Sequence, residues 1–176
     1  MRRFSCAICR HDVFFDNTVC VGCGADLGYA PALGKMLASK DGREWRVADA
    51  VFVPCANRTD IDCNWLVSPD EEDCFCAACR HNRVIPDLTV AGNATLWRKI
   101  ELAKRTLFYS LIEWGLPHPT KLQDSARGLA FDFLADEEHS DGSVRPHLPG
   151  HSSGLITITL AEGDDAERER RRTEMG

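Results

Sequence analysis

The chain has 176 residues, a mass of 19.6 kDa and a formal charge of −6, with an isoelectric point near 5.5. Hydrophobic residues at 44% and charged residues at 27% describe a globular chain and exclude a disordered tail. No apolar run reaches the ~20 residues that span a bilayer, and the acidic balance disfavours charge-driven binding of nucleic acid.

Nine cysteines all lie before residue 80, and six of them form the pairs Cys6/Cys9, Cys20/Cys23 and Cys76/Cys79. The opening residues carry a basic flank but no apolar segment behind it, so they do not read as a secretory signal. Cysteines spaced in this way, without such a signal, imply metal ligation in a reducing, cytoplasmic compartment rather than a disulfide framework. The cysteines divide the chain into a front of two units, 1–50 and 51–90, and an ordinary segment, 91–176.

The first unit holds C-x2-C-x10-C-x2-C through Cys6, Cys9, Cys20 and Cys23. Between the pairs, Val13–Val19 reads as strand, turn and strand, because β-branched and aromatic residues flank Asp16-Asn17. Two C-x-x-C turns joined by a hairpin deliver four thiolates to a tetrahedron, the geometry that structural zinc prefers. Gly24 supplies the positive φ such a turn needs. Iron bound on similar turns stays open as an alternative. Further along, Pro31–Lys40 reads as a short helix and Trp45–Val53 as extended chain.

The second unit offers Cys55, Cys63, Cys76 and Cys79, with Cys74 left as a free thiol because Cys76 is the one in C-x-x-C register. Cys55 and Cys63 form no such turn, so a site completed by His81 remains an alternative. Asn64–Val67 reads as a short strand, followed by the acidic loop Asp70–Asp73. Four sulfurs leave no open coordination position, so both sites are expected to be structural Zn²⁺ sites.

Beyond Pro86 the texture changes. Asn93–Gly115 carries Leu96, Trp97, Ile100, Ala103, Leu107, Phe108, Leu111 and Ile112 at helical spacing. Asn93 suits the N-cap, Glu101 and Arg105 are an i,i+4 pair, and Gly115 with Pro117 supplies the stop. Gly128–Leu134 and Gly154–Leu160 read as strands, the second with threonine on a face suited to water. The four tryptophans are expected in the core. Residues 164–176 lead with acids and end with arginines, as a helix macrodipole favours. The fold class is therefore small zinc-ribbon β units followed by an α+β segment of one long amphipathic helix plus antiparallel strands. An all-polar helix after a strand leaves little to cover a sheet, so the fold reads as the front part of a longer protein.

Catalytic motifs are missing from these residues: there is no H-E-x-x-H, no G-x-S-x-G and no phosphate-binding glycine loop. His147 and His151 are separated by a Pro-Gly pair that forbids a shared helix face. The acids Asp132, Asp136, Glu137 and Glu138 read as a solvated loop.

The motif order resembles a bacterial family of zinc-ribbon proteins in which the ribbon precedes a zincin-like metallopeptidase domain. The resemblance rests on Phe4-x-Cys6-x2-Cys9, Cys20-x2-Cys23-Gly24 and Cys63-Asn64-Trp65-Leu66, and above all on Phe75-Cys76-x2-Cys79-Arg80-x-Asn82-Arg83-x-Ile85-Pro86-Asp87-Leu88. It continues through Leu96-Trp97, Gly128–Leu134, Gly150-His151 and Gly154–Ile158. It implies a peptidase whose H-E-x-x-H helix lies downstream of the segment matching Gly154–Gly176, with Leu155–Leu160 bordering the substrate cleft. The competing reading is a non-catalytic zinc-ribbon adaptor that binds a protein or peptide partner; no membrane association is expected.

Overall fold

The structure, a computed structural model, describes residues 3–138, 141 and 144–175. Part of the polar loop before His147 and the terminal Gly176 lie outside the described residues. The chain divides into two compact units, the first formed by residues 1–80 with 108–115, the second by 81–107 with 116–176.

In the first unit, β1 (Phe4–Ser5) pairs antiparallel with β2 (Asp12–Val13). The expected strand-turn-strand over Val13–Val19 is displaced. Val13 closes this hairpin against Phe4, the Asn17 side chain accepts the Phe14 N–H at 2.8 Å to fix the turn, and Val19 bridges to Asp26. Next, β3 (Asp26–Ala30) and β4 (Lys35–Ser39) form a five-pair hairpin. The helix expected over Pro31–Lys40 is confined to the 3-10 turn Pro31–Leu33, because Gly34 takes φ +58° and turns the chain back along β3. Ladder pairing overrides the helix propensity of Lys35-Met36-Leu37-Ala38.

The stretch expected to be extended is the hairpin of β5 (Trp45–Val47) and β6 (Ala50–Pro54). The short helix α1 (Arg58–Ile61) follows, then β7 (Leu66–Val67), paired antiparallel with β6. Fully buried Phe15 meets Tyr29 edge-on with centroids 5.1 Å apart, and Tyr29 meets Trp65 at a tilt at 5.3 Å. Tyr109, from the last turns of α2 (Asn93–Glu113), meets Phe15 at 4.7 Å. Beside them Ala30, Leu37, Trp45, Phe52 and Leu66 form a second apolar cluster. Trp114, expected in the core, is instead 73% exposed. It sits where Gly115 at φ +64° ends the helix, its N–H donating to the Ile112 carbonyl oxygen.

The second unit is built on a four-stranded sheet. Its strands are β8 (Asn82–Val84), β9 (Ala130–Leu134), β12 (Gly150–Ser152) and β13 (Leu155–Thr159), in the order β12-β13-β9-β8; β10 (Glu137–Glu138) and β11 (Val144–Arg145) form a separate hairpin between β9 and β12. The expected antiparallel pairing holds for β12 with β13, whereas β9 runs parallel to both β13 and β8. The reason is the connection. Between β8 and β9 the chain passes through α2, and a helical crossover returns a strand in the same direction.

On α2, Trp97 is fully buried against Phe133 of β9. Asn93 lies inside the first turn, its side-chain amide donating to the Asp87 carbonyl oxygen at 2.9 Å. The expected Glu101–Arg105 pair is replaced. Glu101, fully buried, takes Lys104 at 2.7 Å and the Asn82 amide at 3.0 Å. Lys104 also lies 5.2 Å from the Phe133 ring centre. In β13 the two faces are not cleanly divided into wet and dry, for Thr157 is half-buried and borders the same groove as the isoleucines. Thr159 is fully buried, while Ile156 and Ile158 line an open groove of about 720 Å³ with Pro149, His151 and Glu162. The charged tail is the helix α3 (Asp165–Met175), tied to β9's following turn by Arg171 and Asp136 at 2.7 Å.

Candidate metal centres

The two cysteine turns of the first set share one hydrogen-bond pattern. The N–H groups of Arg10 and Gly24 donate to the carbonyl oxygens of Cys6 and Cys20 at 3.0 and 2.8 Å. Those of Cys6 and Cys20 donate to His11 and Ala25, both at 2.8 Å. Each turn is released by a left-handed residue just after its second cysteine, Arg10 at φ +66° and Gly24 at φ +72°. Glycine takes that conformation freely; arginine takes it at a cost, which the closed turn offsets.

These turns bring the four Sγ atoms within 4.8 Å of one another, with Cys6 to Cys23 at 3.8 Å and Cys9 to Cys20 at 3.5 Å. Zinc–sulfur bonds of ~2.3 Å place tetrahedral sulfurs about 3.8 Å apart, so the donor set fits the ion. Cys6 and Cys20 are buried, while Cys9 and Cys23 are exposed.

Charge in this set is unevenly shared. Burial works to raise the Cys20 thiol, but the N–H groups of Gly22 and Cys23, with the thiols of Cys9 and Cys6, outweigh it and lower the pKa to about 6. For Cys23 the Ala25 N–H favours the thiolate. The neighbouring Cys9, Cys20 and Cys6 together with burial prevail, and its thiol is pushed up to about 12. Four adjacent thiolates repel, and a divalent cation is what allows all four to ionise.

The second set is assembled differently. Cys55 directly follows β6, and the single turn of α1 lies within the stretch between Cys55 and Cys63, released by Asp62 at φ +51°. Fully buried Ile61 anchors that turn. Cys76–Cys79 forms a third turn, with the Arg80 N–H donating to the Cys76 carbonyl oxygen at 3.0 Å. Cys63 lies 3.8 Å from Cys76 and 3.7 Å from Cys79, sulfur to sulfur, and the Cys76 N–H donates to the Cys55 sulfur at 3.3 Å. All four cysteines are buried. Burial first, then the thiols of Cys55, Cys63 and Cys79, hold the Cys76 thiol well above its ordinary value, so this set too needs a cation to ionise.

Cys74 is exposed and stands outside both sets; its carbonyl oxygen accepts the Ala56 N–H at 3.0 Å. His81 does not complete the second set: its Nε2 lies 2.9 Å from the His118 carbonyl oxygen. His147 is in a loop and His151 on the edge strand β12. Among the described residues, the two cysteine groups are the ones whose metal-binding atoms converge.

The residue that spacing arguments miss is Asn64. Buried between Cys63 and Trp65, it donates its side-chain amide to the carbonyl oxygens of Phe15 and Asn17, while its own carbonyl oxygen accepts the Tyr29 N–H at 2.7 Å. It thereby ties the segment that follows Cys63 to the turn between the two cysteine pairs of the first set. A polar residue set just before an apolar run, Trp65-Leu66-Val67, is the signal that marks it.

Two convergent four-thiolate sets, the first on a short hairpin, define the class, a zinc-ribbon protein. The family model of a zinc-ribbon domain matches residues 3–90, and the chain belongs to that family. A second model, described as "Putative zinc-binding metallo-peptidase", matches residues 93–176. The chain is similar to an uncharacterized protein of Mycobacterium bovis and to uncharacterized proteins from two strains of Mycobacterium tuberculosis. Each is 35% identical over 175 residues, covering 99% of this chain and 48% of the relative. The chain thus spans about half the length of the curated relatives it matches. No solved structure matches.

Proposed function

We propose that the chain is the zinc-ribbon-bearing front of a zinc metallopeptidase, in which the two thiolate sites build the scaffold and hydrolysis belongs to a segment beyond Gly176. The observation that carries this reading is the closure of both sites by four sulfurs. Hydrolysis needs an open metal position for water and a general base within reach, and a closed tetrahedron offers neither. The match of residues 93–176 to the metallopeptidase family supports the rest.

Within that reading the groove along β12 and β13, lined by Ile156, Ile158 and His151, borders the substrate cleft. Its apolar strand face is what a covering segment or a bound peptide would bury. Thiolate sites suit a reducing compartment, and a cytoplasmic location goes with this reading. The charge of −6 argues against a nucleic-acid partner.

The test compares the 176-residue chain with the extended gene product on a mixture of fluorogenic peptides, with and without a chelator. Chelator-sensitive cleavage is expected from the extended form alone. Cleavage by the short chain that survives repurification would overturn the assignment. The second reading, an adaptor for a protein or peptide partner, draws on the exposed Phe14 and Val21 of the first ribbon. An extended product without an H-E-x-x-H helix would favour it.

A further inference from the structure

The two sulfur sets carry the same ligands and differ in access. In the second all four cysteines are buried; in the first, Cys9 and Cys23 face solvent. Cys23 also borders a surface cavity of about 170 Å³ with Ile8, Gly24, Ala25 and Lys40, which has room for a small solute beside this set. Exposed Cys9 has a close sulfur partner on the opposite turn, Cys20 at 3.5 Å, nearer than Cys6 is to Cys23 at 3.8 Å. A disulfide needs about 2.0 Å between sulfurs, an approach of ~1.5 Å. The Cys6–Cys9 turn sits on two-residue strands, which leaves little pairing to resist its movement toward Cys20, whose turn is held at the head of β3 by the Val19–Asp26 bridge.

We propose that the first sulfur set is a peroxide-sensitive site: oxidation joins Cys9 to Cys20 and releases one zinc, while the second set keeps its own. The proposal rests on the zinc reading of both sites. Susceptibility of cysteine to oxidation follows thiolate character and exposure, and metal binding keeps all four sulfurs as thiolates. In the first step the Cys9 thiolate attacks one peroxide oxygen. The O–O bond breaks, an S–O bond forms, and hydroxide leaves. In the second step the Cys20 thiolate attacks the Cys9 sulfur; the S–S bond forms, the S–O bond breaks, and a second hydroxide leaves. The two thiolates give up two electrons, hydrogen peroxide accepts them, and protons from solvent convert both hydroxides to water. Cys6 and Cys23 remain, and two thiolates do not retain a structural cation. In the second set the same chemistry is blocked at the first step, because no sulfur is open to the oxidant.

The experiment uses the zinc-loaded chain carrying Cys74→Ser, which removes the exposed competing thiol, beside the unsubstituted chain. Metal analysis first establishes two zinc ions per chain. Hydrogen peroxide is then added in the presence of a chromogenic zinc chelator, with a peroxide-free control, and the products are mapped by peptide mass without reduction. The first equivalent of zinc should leave on the order of tenfold faster than the second, following the difference in exposure. It should leave together with a Cys9–Cys20 cross-link, and a thiol reductant with added zinc should reverse both. Release of both ions together, release from the second set first, no release, or release without that cross-link would overturn the proposal. A starting ratio of one zinc per chain would instead overturn the zinc reading beneath it.

Discussion

The two sulfur sets use the same four donors and reach the same geometry by unlike routes. The first is made of two matching turns at the end of a small hairpin, with half its sulfurs in water. The second is composite. One C-x-x-C turn meets two cysteines held by a strand end and a single helical turn, and all of it is buried beside Trp65 and Ile61. The difference teaches that spacing defines a metal knuckle, whereas burial decides what depends on it. A buried set is joined to the apolar core, and its loss exposes unpaired polar sulfur where nothing else can solvate it. An exposed set can be lost with mainly local consequences.

The largest effect is therefore expected at the second set. Cys76→Ser removes a ligand whose zinc supplies on the order of 10 kcal/mol to folding, as much as the whole stability of a typical domain. The expected outcome is loss of that zinc and of the cooperative thermal transition, read by metal analysis and by near-ultraviolet circular dichroism of the buried Trp45 and Trp65. A variant that keeps both zinc ions would show that Cys76 is not a ligand.

Cys20→Ser should cost less. One zinc is lost and the two turns at Cys6 and Cys20 loosen, but the tryptophan signal persists and the melting temperature falls without the transition vanishing. If Cys20→Ser and Cys76→Ser are equally disruptive, the contrast between the sets is broken.

A third substitution tests burial outside either set. Lys104→Met leaves Glu101 charged and fully buried with the Asn82 amide as a remaining donor, a loss of about 3 kcal/mol. Urea unfolding should give that loss with zinc content unchanged. Recovery is expected in the double variant Glu101→Leu, Lys104→Met, where no charge remains.

Asn64→Ala probes the link between the two sets. It strips donors from the Phe15 and Asn17 carbonyl oxygens and should destabilise by ~1–3 kcal/mol in urea. If the sets were independent, it would leave the zinc affinity of the first untouched; the link predicts a weaker first site. At the small end, Cys74→Ser should change stability by no more than about 0.5 kcal/mol and leave metal content as it was, as exposed substitutions do.

These contrasts also mark what was legible in the sequence. The C-x-x-C pairs disclosed the first set, and register assigned Cys76 rather than Cys74 to the second. Fixed ligand spacing is a local property, and local properties can be read from sequence. Long helical periodicity disclosed α2 for the same reason. Burial was not legible, since it depends on what packs opposite. The exposure of Cys9 and Cys23, the exposed Trp114 and the burial of Thr159 all depend on partners distant in sequence. So does the choice of Lys104 over Arg105 by Glu101, because Asn82 and the rings of β9 hold Lys104 where it reaches the carboxylate. Pro31–Lys40 misled because its composition suits a helix, and only pairing with β3 makes it a strand.

The central claim is that eight cysteines hold two closed zinc sites, and it is tested most directly by zinc K-edge absorption on untagged protein, calibrated by metal content. Two zinc ions per chain are expected, each with four sulfur neighbours at about 2.3 Å. A ratio of one, iron in place of zinc, or nitrogen and oxygen neighbours around either ion would contradict it.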